Sequence, residues 1–231
     1  MPTRNRRPFV PLAIDYFLRQ DYPLKELVIV DDGTDSVEDL VPPLPSVRYH
    51  RVVRRTRVGA ARNLACEMAS GSVIAHWDDD DWQAPDRLSR QLRQLESGRV
   101  DLCGMTSLLY YAPGDGRAWR FDWPPRLPRW LAGQSLCFRR DLWVRSPFPD
   151  LPNAEDAVFV RRLADRPIAV TPGDSLVALV HPGNTVAKTS LGVHCTPSSM
   201  TEVRALLGPD LDLYRSLPPE PRRSTVRAAL R

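Results

Sequence analysis

Apolar residues at Phe9, Leu12, Ala13, Tyr16 and Phe17 recur at i, i+3, i+4, i+7 and i+8, which predicts a helix over 9–17 with one buried stripe. The pattern then changes. In ELVIVDDG (26–33) the apolar residues run without a break and stop at Asp31-Asp32-Gly33. Such a run reads as a strand buried on both faces, with acids where the chain leaves the sheet. VRYHRVV (47–53) reads as another strand, and GAARNLACEMASG (59–71) returns to helical spacing, with Ala61, Leu64, Ala65 and Met68 inward and Gly71 as its stop. SVIAHW (72–77) is a second buried strand and ends at four consecutive aspartates, Asp78 to Asp81. Pro85 and Asp86 open the next helix, whose apolar face carries Leu88, Leu92 and Leu95. Helix and strand alternate through 9–97, so the fold class is α/β with a mainly parallel sheet.

The second half is less regular. Segments 100–111, 117–123 and 175–180 read as strands, 133–143 as a strand entering a turn, and 155–165 and 201–207 as helices. No apolar run approaches the ~20 residues that span a bilayer. The first ten residues lack the apolar core of a signal peptide, so the expected setting is cytoplasmic. Thirty-two basic residues against 28 acidic ones leave a net charge of +4, with short arginine clusters at 4–7, 51–57 and 221–223. Aspartate-rich segments and the lack of any nucleic-acid-reading motif argue against a nucleic-acid partner. Four scattered cysteines show neither zinc nor redox spacing and are expected as buried thiols.

The acids change the picture most. In open α/β sheets, ligands bind beyond the carboxyl ends of the strands. Two apolar strands here end in acids, Asp31-Asp32 and Asp78–Asp81. If those strands are parallel neighbours, both clusters open on one crevice that needs a cation. Oxygen ligands suit Mg²⁺ or Mn²⁺, and Mg²⁺ is commonly shared with substrate phosphates. The plainer alternative is a solvated turn that caps the next helix. Four carboxylates after a buried strand, with a second acidic strand end upstream, favour the site.

PTRNR (2–6), LKELVIVDDGT (24–34), VGAARNLACEMASG (58–71), IAHWDDDDWQAPDRLSRQL (74–92) and NAEDAVFVRRL (153–163) stand in the order found in family 2 glycosyltransferases, and the chain resembles that family over roughly residues 1–185. The resemblance implies the GT-A nucleotide-diphospho-sugar transferase fold, with a Rossmann-like, mostly parallel central sheet and helices on both faces. It implies inverting transfer from a UDP-, GDP- or dTDP-sugar to a saccharide, glycolipid or other hydroxyl acceptor, with Mn²⁺ or Mg²⁺ on the diphosphate.

Matched by position, Pro2, Thr3 and Arg4 lie where the nucleotide docks, Asp32 where the base is contacted and Arg57 along the nucleotide pocket. The segment Arg57-Val58-Gly59 departs from the family's usual N-x-G. Asp78 and Asp79 are expected to face ribose and metal-bound water, Asp80 to contact the metal, and Asp81 to enter the next helix or to support the site from behind. His181, followed by Asn184 and Thr185, matches a late element that contacts metal or diphosphate, the alternative being a structural histidine. Asp156 matches the catalytic base, which takes the acceptor's proton as its oxygen attacks. Neighbouring Glu155 is expected to raise its pKa by like-charge repulsion. Glu155, Gln134 and Ser135 fall on the acceptor side.

The expected organisation is one catalytic domain over 1–195, with a nucleotide half (1–100) and an acceptor half (101–195), followed by an extension (196–231) that is partly helical or disordered. The family places a full apolar strand before its P-T-x-N segment. Met1 stands directly ahead of that segment here, so a truncated first strand is expected. The basic, proline-rich stretch 217–231 suits either a solvated end or peripheral contact with the inner membrane face. Two rival functions remain. A metal-dependent nucleotidyltransferase should carry a glycine-rich phosphate loop with a lysine near the N-terminus, which this chain lacks. A non-catalytic domain binding sugar nucleotide or protein is opposed by the intact Asp78–Asp81 and Glu155-Asp156.

Overall fold

The computed structural model describes residues 1–163, 165–185, 192 and 194–217. Three parallel strands open the fold: β1 (Pro2–Thr3), β2 (Leu27–Asp31) and β3 (Val47–Arg51), with β2 in the middle. All five residues of β2 are buried, which is why the sequence there shows no alternation. Leu27 and Ile29 pack with Val10, Ala13 and Phe17 of helix α1 (Val10–Leu18). Val28 and Val30 point to the other face and meet Ala61 of helix α2 (Val58–Met68). Helices on both faces thus account for the unbroken apolar run.

The chain continues through β4 (Val73–Ala75), β5 (Trp82–Gln83), α3 (Arg87–Glu96), β6 (Leu102–Gly104), β7 (Ser107–Ala112) and β8 (Arg117–Asp122). Next come β9 (Cys137–Arg139), α4 (Arg140–Arg145), α5 (Glu155–Arg162), β10 (Ile168–Val170), β11 (Leu176–Leu179), β12 (Cys195–Ser198), α6 (Met200–Leu207) and α7 (Asp210–Arg215). They build a sheet of order β10-β6-β9-β4 and another of order β12-β8-β7-β11-β5. In these two sheets β10/β6 and β11/β7 are parallel, and hairpin-like antiparallel pairs such as β7/β8 make up the rest. The architecture is α/β and rich in parallel pairs, as the alternation predicts.

Some expectations shift. β2 and β4 are not paired neighbours: they belong to different sheets. A cavity of about 590 Å³ lies between them, lined by Met1, Leu27, Val28, Cys66, Ile74 and Leu88 among others. Segment 133–143 is a 3-10 turn (Gly133–Ser135), then β9, then α4; β9 is a strand because it pairs antiparallel with both β4 and β6. The helix expected at 201–207 is α6, whose N-cap Ser199 accepts a hydrogen bond from Glu202 N–H at 3.2 Å. Cys66, Cys103 and Cys137 are buried free thiols, whereas Cys195 is half-buried. Among the described residues, no helix is long and apolar enough to cross a membrane. Residue 164, in the helix expected over 155–165, and nearly all of the basic stretch 217–231 lie outside the described residues.

Candidate functional site

The four aspartates leave the end of β4 between two buried tryptophans that fix the run at both ends. Trp77 Nε1 donates to Ala13 C=O at 3.0 Å, and Trp82 Nε1 donates to Asp210 Oδ2 at 2.8 Å. Within that frame the four side chains part company. Asp78, Asp80 and Asp81 each bring an oxygen within 4.8 Å of the others. Asp80 Oδ2 accepts from Arg6 Nη1 at 2.9 Å and Asn184 Nδ2 at 3.3 Å, and lies 2.9 Å from His181 Nε2. His181 is held by a 4.5 Å ring contact with Phe9 and by its own N–H, which donates to Asn184 Oδ1 at 2.8 Å.

Asp81 does not enter a helix. Its carboxylate is buried and accepts Leu179 N–H at 3.0 Å, tying the run to the end of β11. Asp86 is the N-cap residue of α3 instead. Asp79 is 8% exposed, and its Oδ2 has no hydrogen-bond partner. Burial pushes this carboxyl up to about 7; Arg6 pulls against that and Asp80 adds to it. An all-oxygen group with one adjacent imidazole and an unsatisfied buried carboxylate oxygen fits Mg²⁺ or Mn²⁺.

A buried arginine joins this group to Glu155, the residue before the predicted base. Arg62, on α2, places Nη2 3.2 Å from Asp78 Oδ1 and Nη1 2.8 Å from Glu155 Oε1. Burial raises the Glu155 carboxyl, Arg62 opposes the rise and Asp156 adds to it. Ala154, the N-cap of α5, has φ of 59°, a left-handed conformation that costs a non-glycine residue about 1–3 kcal/mol. Strain of that kind concentrates where the chain must aim a side chain. Asp156 Oδ1 accepts Ala157 N–H at 2.8 Å. Its other oxygen lies 2.0 Å from where a Cβ on residue 133 would sit, so only glycine fits there. Gly59 is held likewise: a Cβ would meet Pro149 C=O at 2.2 Å.

At the other end of the site, Thr3 continues β1, and Arg4 forms a two-armed pair with Asp32. Asp32 also accepts Thr56 N–H at 2.7 Å and Thr56 Oγ1 at 2.8 Å. Burial alone would raise its carboxyl; Arg4 and Thr56 overcome that and hold it below the usual carboxylate range. Asp31 is turned away from any crevice. It is fully buried and accepts Gly33 N–H, Val37 N–H and Tyr49 O–H at 2.8, 3.2 and 2.9 Å. Successive strand residues face opposite sides, so only one member of the pair reaches the site. Arg57 is exposed and donates to Asp150 C=O at 2.9 Å. Gln134 is half-buried. Ser135 is fully buried, with its hydroxyl between Met105 N–H and Ala132 C=O at 2.8 and 2.7 Å, which leaves it shaping the loop.

Three arginines escape sequence reasoning: Arg6, Arg62 and Arg87. In the sequence, Arg6 belongs to a basic cluster, Arg62 interrupts an alanine stripe, and Arg87 follows a helix-opening Pro-Asp. Arg87 is 0% exposed and donates to His76 C=O at 2.9 Å, Gln134 C=O at 3.0 Å and the side chains of Gln83 and Gln91. It pins the strand that carries the aspartates to the loop that carries Gly133. Arg87→Met keeps the volume but strands two buried carbonyls, each costing about 1–3 kcal/mol. The expected result is a loss of about 3 kcal/mol in urea unfolding; an unchanged midpoint and slope would remove Arg87 from this role.

The family model described as "Glycosyl transferase family 2" matches residues 1–149. The succinoglycan biosynthesis protein ExoO of Rhizobium meliloti (strain 1021) is 34% identical over 123 residues, which is 50% of this chain and 34% of that protein. This chain spans 34–39% of the length of the first three curated relatives it matches. The mannosyltransferase PcManGT of Pyrobaculum calidifontis, solved with GDP-Man and Mn²⁺, superposes with a TM-score of 0.61 at 20% identity, over 94% of this chain and 68% of that one. S. aureus TarS, solved with UDP-GlcNAc, gives a TM-score of 0.61 at 19% identity, over 80% of this chain and 58% of that one. At such identities the likeness is one of fold.

Proposed function

The chain belongs to glycosyltransferase family 2, and from that premise we propose that it transfers a sugar from a nucleotide diphosphate sugar to a hydroxyl acceptor with inversion at the anomeric carbon. The observation that carries this reading is the Arg62 bridge, which links an oxygen-rich cation group at the end of β4 to the acid pair that opens α5. A single reaction that uses both halves accounts for their being joined.

Asp156 serves as the base. As the acceptor oxygen attacks the anomeric carbon, its proton passes to the Asp156 carboxylate and the bond to the diphosphate breaks on the opposite face. Glu155 and Gln134 lie on the acceptor side. Arg4 and Asp32 form the polar floor for the nucleotide, flanked by Pro2, Thr3 and Arg57, and Asp78 and Asp79 extend it toward the ribose. Asp80 and His181, with oxygens from Asp78 or Asp81, would hold Mn²⁺ or Mg²⁺, which when bound offsets charge on the departing diphosphate.

The fold relatives solved with GDP-Man and UDP-GlcNAc make GDP and UDP the first ligands to try. Calorimetry with each, with and without Mn²⁺, is expected to show binding of at least one, strengthened by the metal. Absence of metal-dependent binding to either nucleotide would sink the reading in favour of a non-catalytic domain.

A further inference from the structure

Arg6 stands where a cation would stand. Its Nη1 is 2.9 Å from Asp80 Oδ2 and 2.8 Å from His181 Nε2, and those two atoms are themselves 2.9 Å apart. A guanidinium nitrogen only donates. His181 Nε2 therefore either accepts from Arg6 or donates to Asp80, and a divalent ion placed here would have to break whichever contact it makes. In either case Nε2 has no lone pair to give a metal until that contact is broken. The rest of Arg6 is built in. The residue is 5% exposed, Nη2 donates to Gly183 C=O at 2.5 Å, and its own carbonyl accepts Phe9 N–H at 2.9 Å at the start of α1.

We propose that Arg6 is the resident counter-cation of the aspartate run, competing with a divalent ion for Asp80 and His181 and yielding the position when a nucleotide diphosphate supplies a second anion. The proposal rests on the function argued above. A guanidinium cannot yield by losing its proton, and a buried charge moved off its carboxylate needs another partner. The diphosphate is a partner of the right charge and geometry for an arginine. Metal and donor then bind with positive coupling, and the coupling is reciprocal. The ion alone meets an occupied site, whereas ion and diphosphate together free it.

The test is Mn²⁺ binding to the full chain, read by the paramagnetic signal of the unbound ion, for wild type, Arg6→Met, Arg6→Gln and Arg6→Lys. Without nucleotide, the two neutral variants are expected to bind Mn²⁺ at least tenfold more tightly than wild type, and Arg6→Lys within threefold of it. The tightening of Mn²⁺ by UDP or GDP should shrink in the neutral variants. Melting with and without Mn²⁺ covers a variant that folds poorly alone: Mn²⁺ should raise its melting temperature more than that of wild type. Equal or weaker Mn²⁺ binding in both neutral variants, or no added thermal shift in either, overturns the proposal. Nucleotide binding by wild type, both with and without Mn²⁺, is read separately. Its absence for both UDP and GDP counts against the donor assignment, while the comparison of Mn²⁺ affinities still decides the role of Arg6.

Discussion

Asp156→Asn is expected to retain metal-dependent nucleotide binding and to lose sugar transfer by about 10³-fold, within the usual range for a general base. The amide keeps the shape that fits against Gly133 and keeps an oxygen for Ala157 N–H. It loses the capacity to take a proton. A 10³-fold loss is about 4 kcal/mol of barrier, too much for a small shift of a well-anchored side chain. Single-turnover transfer, or donor hydrolysis where no acceptor is yet identified, measures it. Equal turnover in variant and wild type would remove Asp156 from the role of base. Loss of nucleotide binding together with turnover would point to a structural role.

Asp80→Ala is expected to abolish the Mn²⁺-dependent part of nucleotide binding and to destabilise the fold as well. Asp80 is the shared partner of Arg6, His181 and Asn184. Removing one member of a buried ion pair typically costs about 3–5 kcal/mol because the other charge stays behind. Asp80→Asn separates the two effects. It keeps an oxygen for Arg6 and much of the packing but weakens the hold on a divalent ion. The expected pattern is a large fall in melting temperature for Asp80→Ala, a smaller one for Asp80→Asn, and loss of the Mn²⁺ effect on nucleotide binding in both. Full retention of the Mn²⁺ effect in Asp80→Asn would mean that the ion sits elsewhere.

Most elements were legible because their causes are local. An amphipathic stripe at 9–17 has to bury one face, and its inward positions Ala13, Tyr16 and Phe17 are buried in α1. A run such as Leu27–Asp31 has to be covered on both sides. Strand exits rich in acid point to a candidate site, and the ordered motifs mark the family. What stayed hidden was the division of labour among adjacent acids. Asp31 and Asp32 look alike in sequence, yet one closes a loop with Tyr49 while the other pairs with Arg4. Asp79 and Asp81 differ as sharply, one with an unsatisfied oxygen and the other holding Leu179 N–H.

The sequence by itself determined the α/β alternation, the acidic exits and the family. Only the tertiary structure decided that β2 and β4 lie in separate sheets, that Asp81 belongs to β11 rather than to a helix start, and that Arg6, Arg62 and Arg87 are inside. The reason is physical. Periodicity reports a residue's neighbours three or four positions away, but Arg6 meets its partners across 74 and 175 residues. The energy of a charge depends on its distance to other charges and to water, and neither distance exists until the chain has folded.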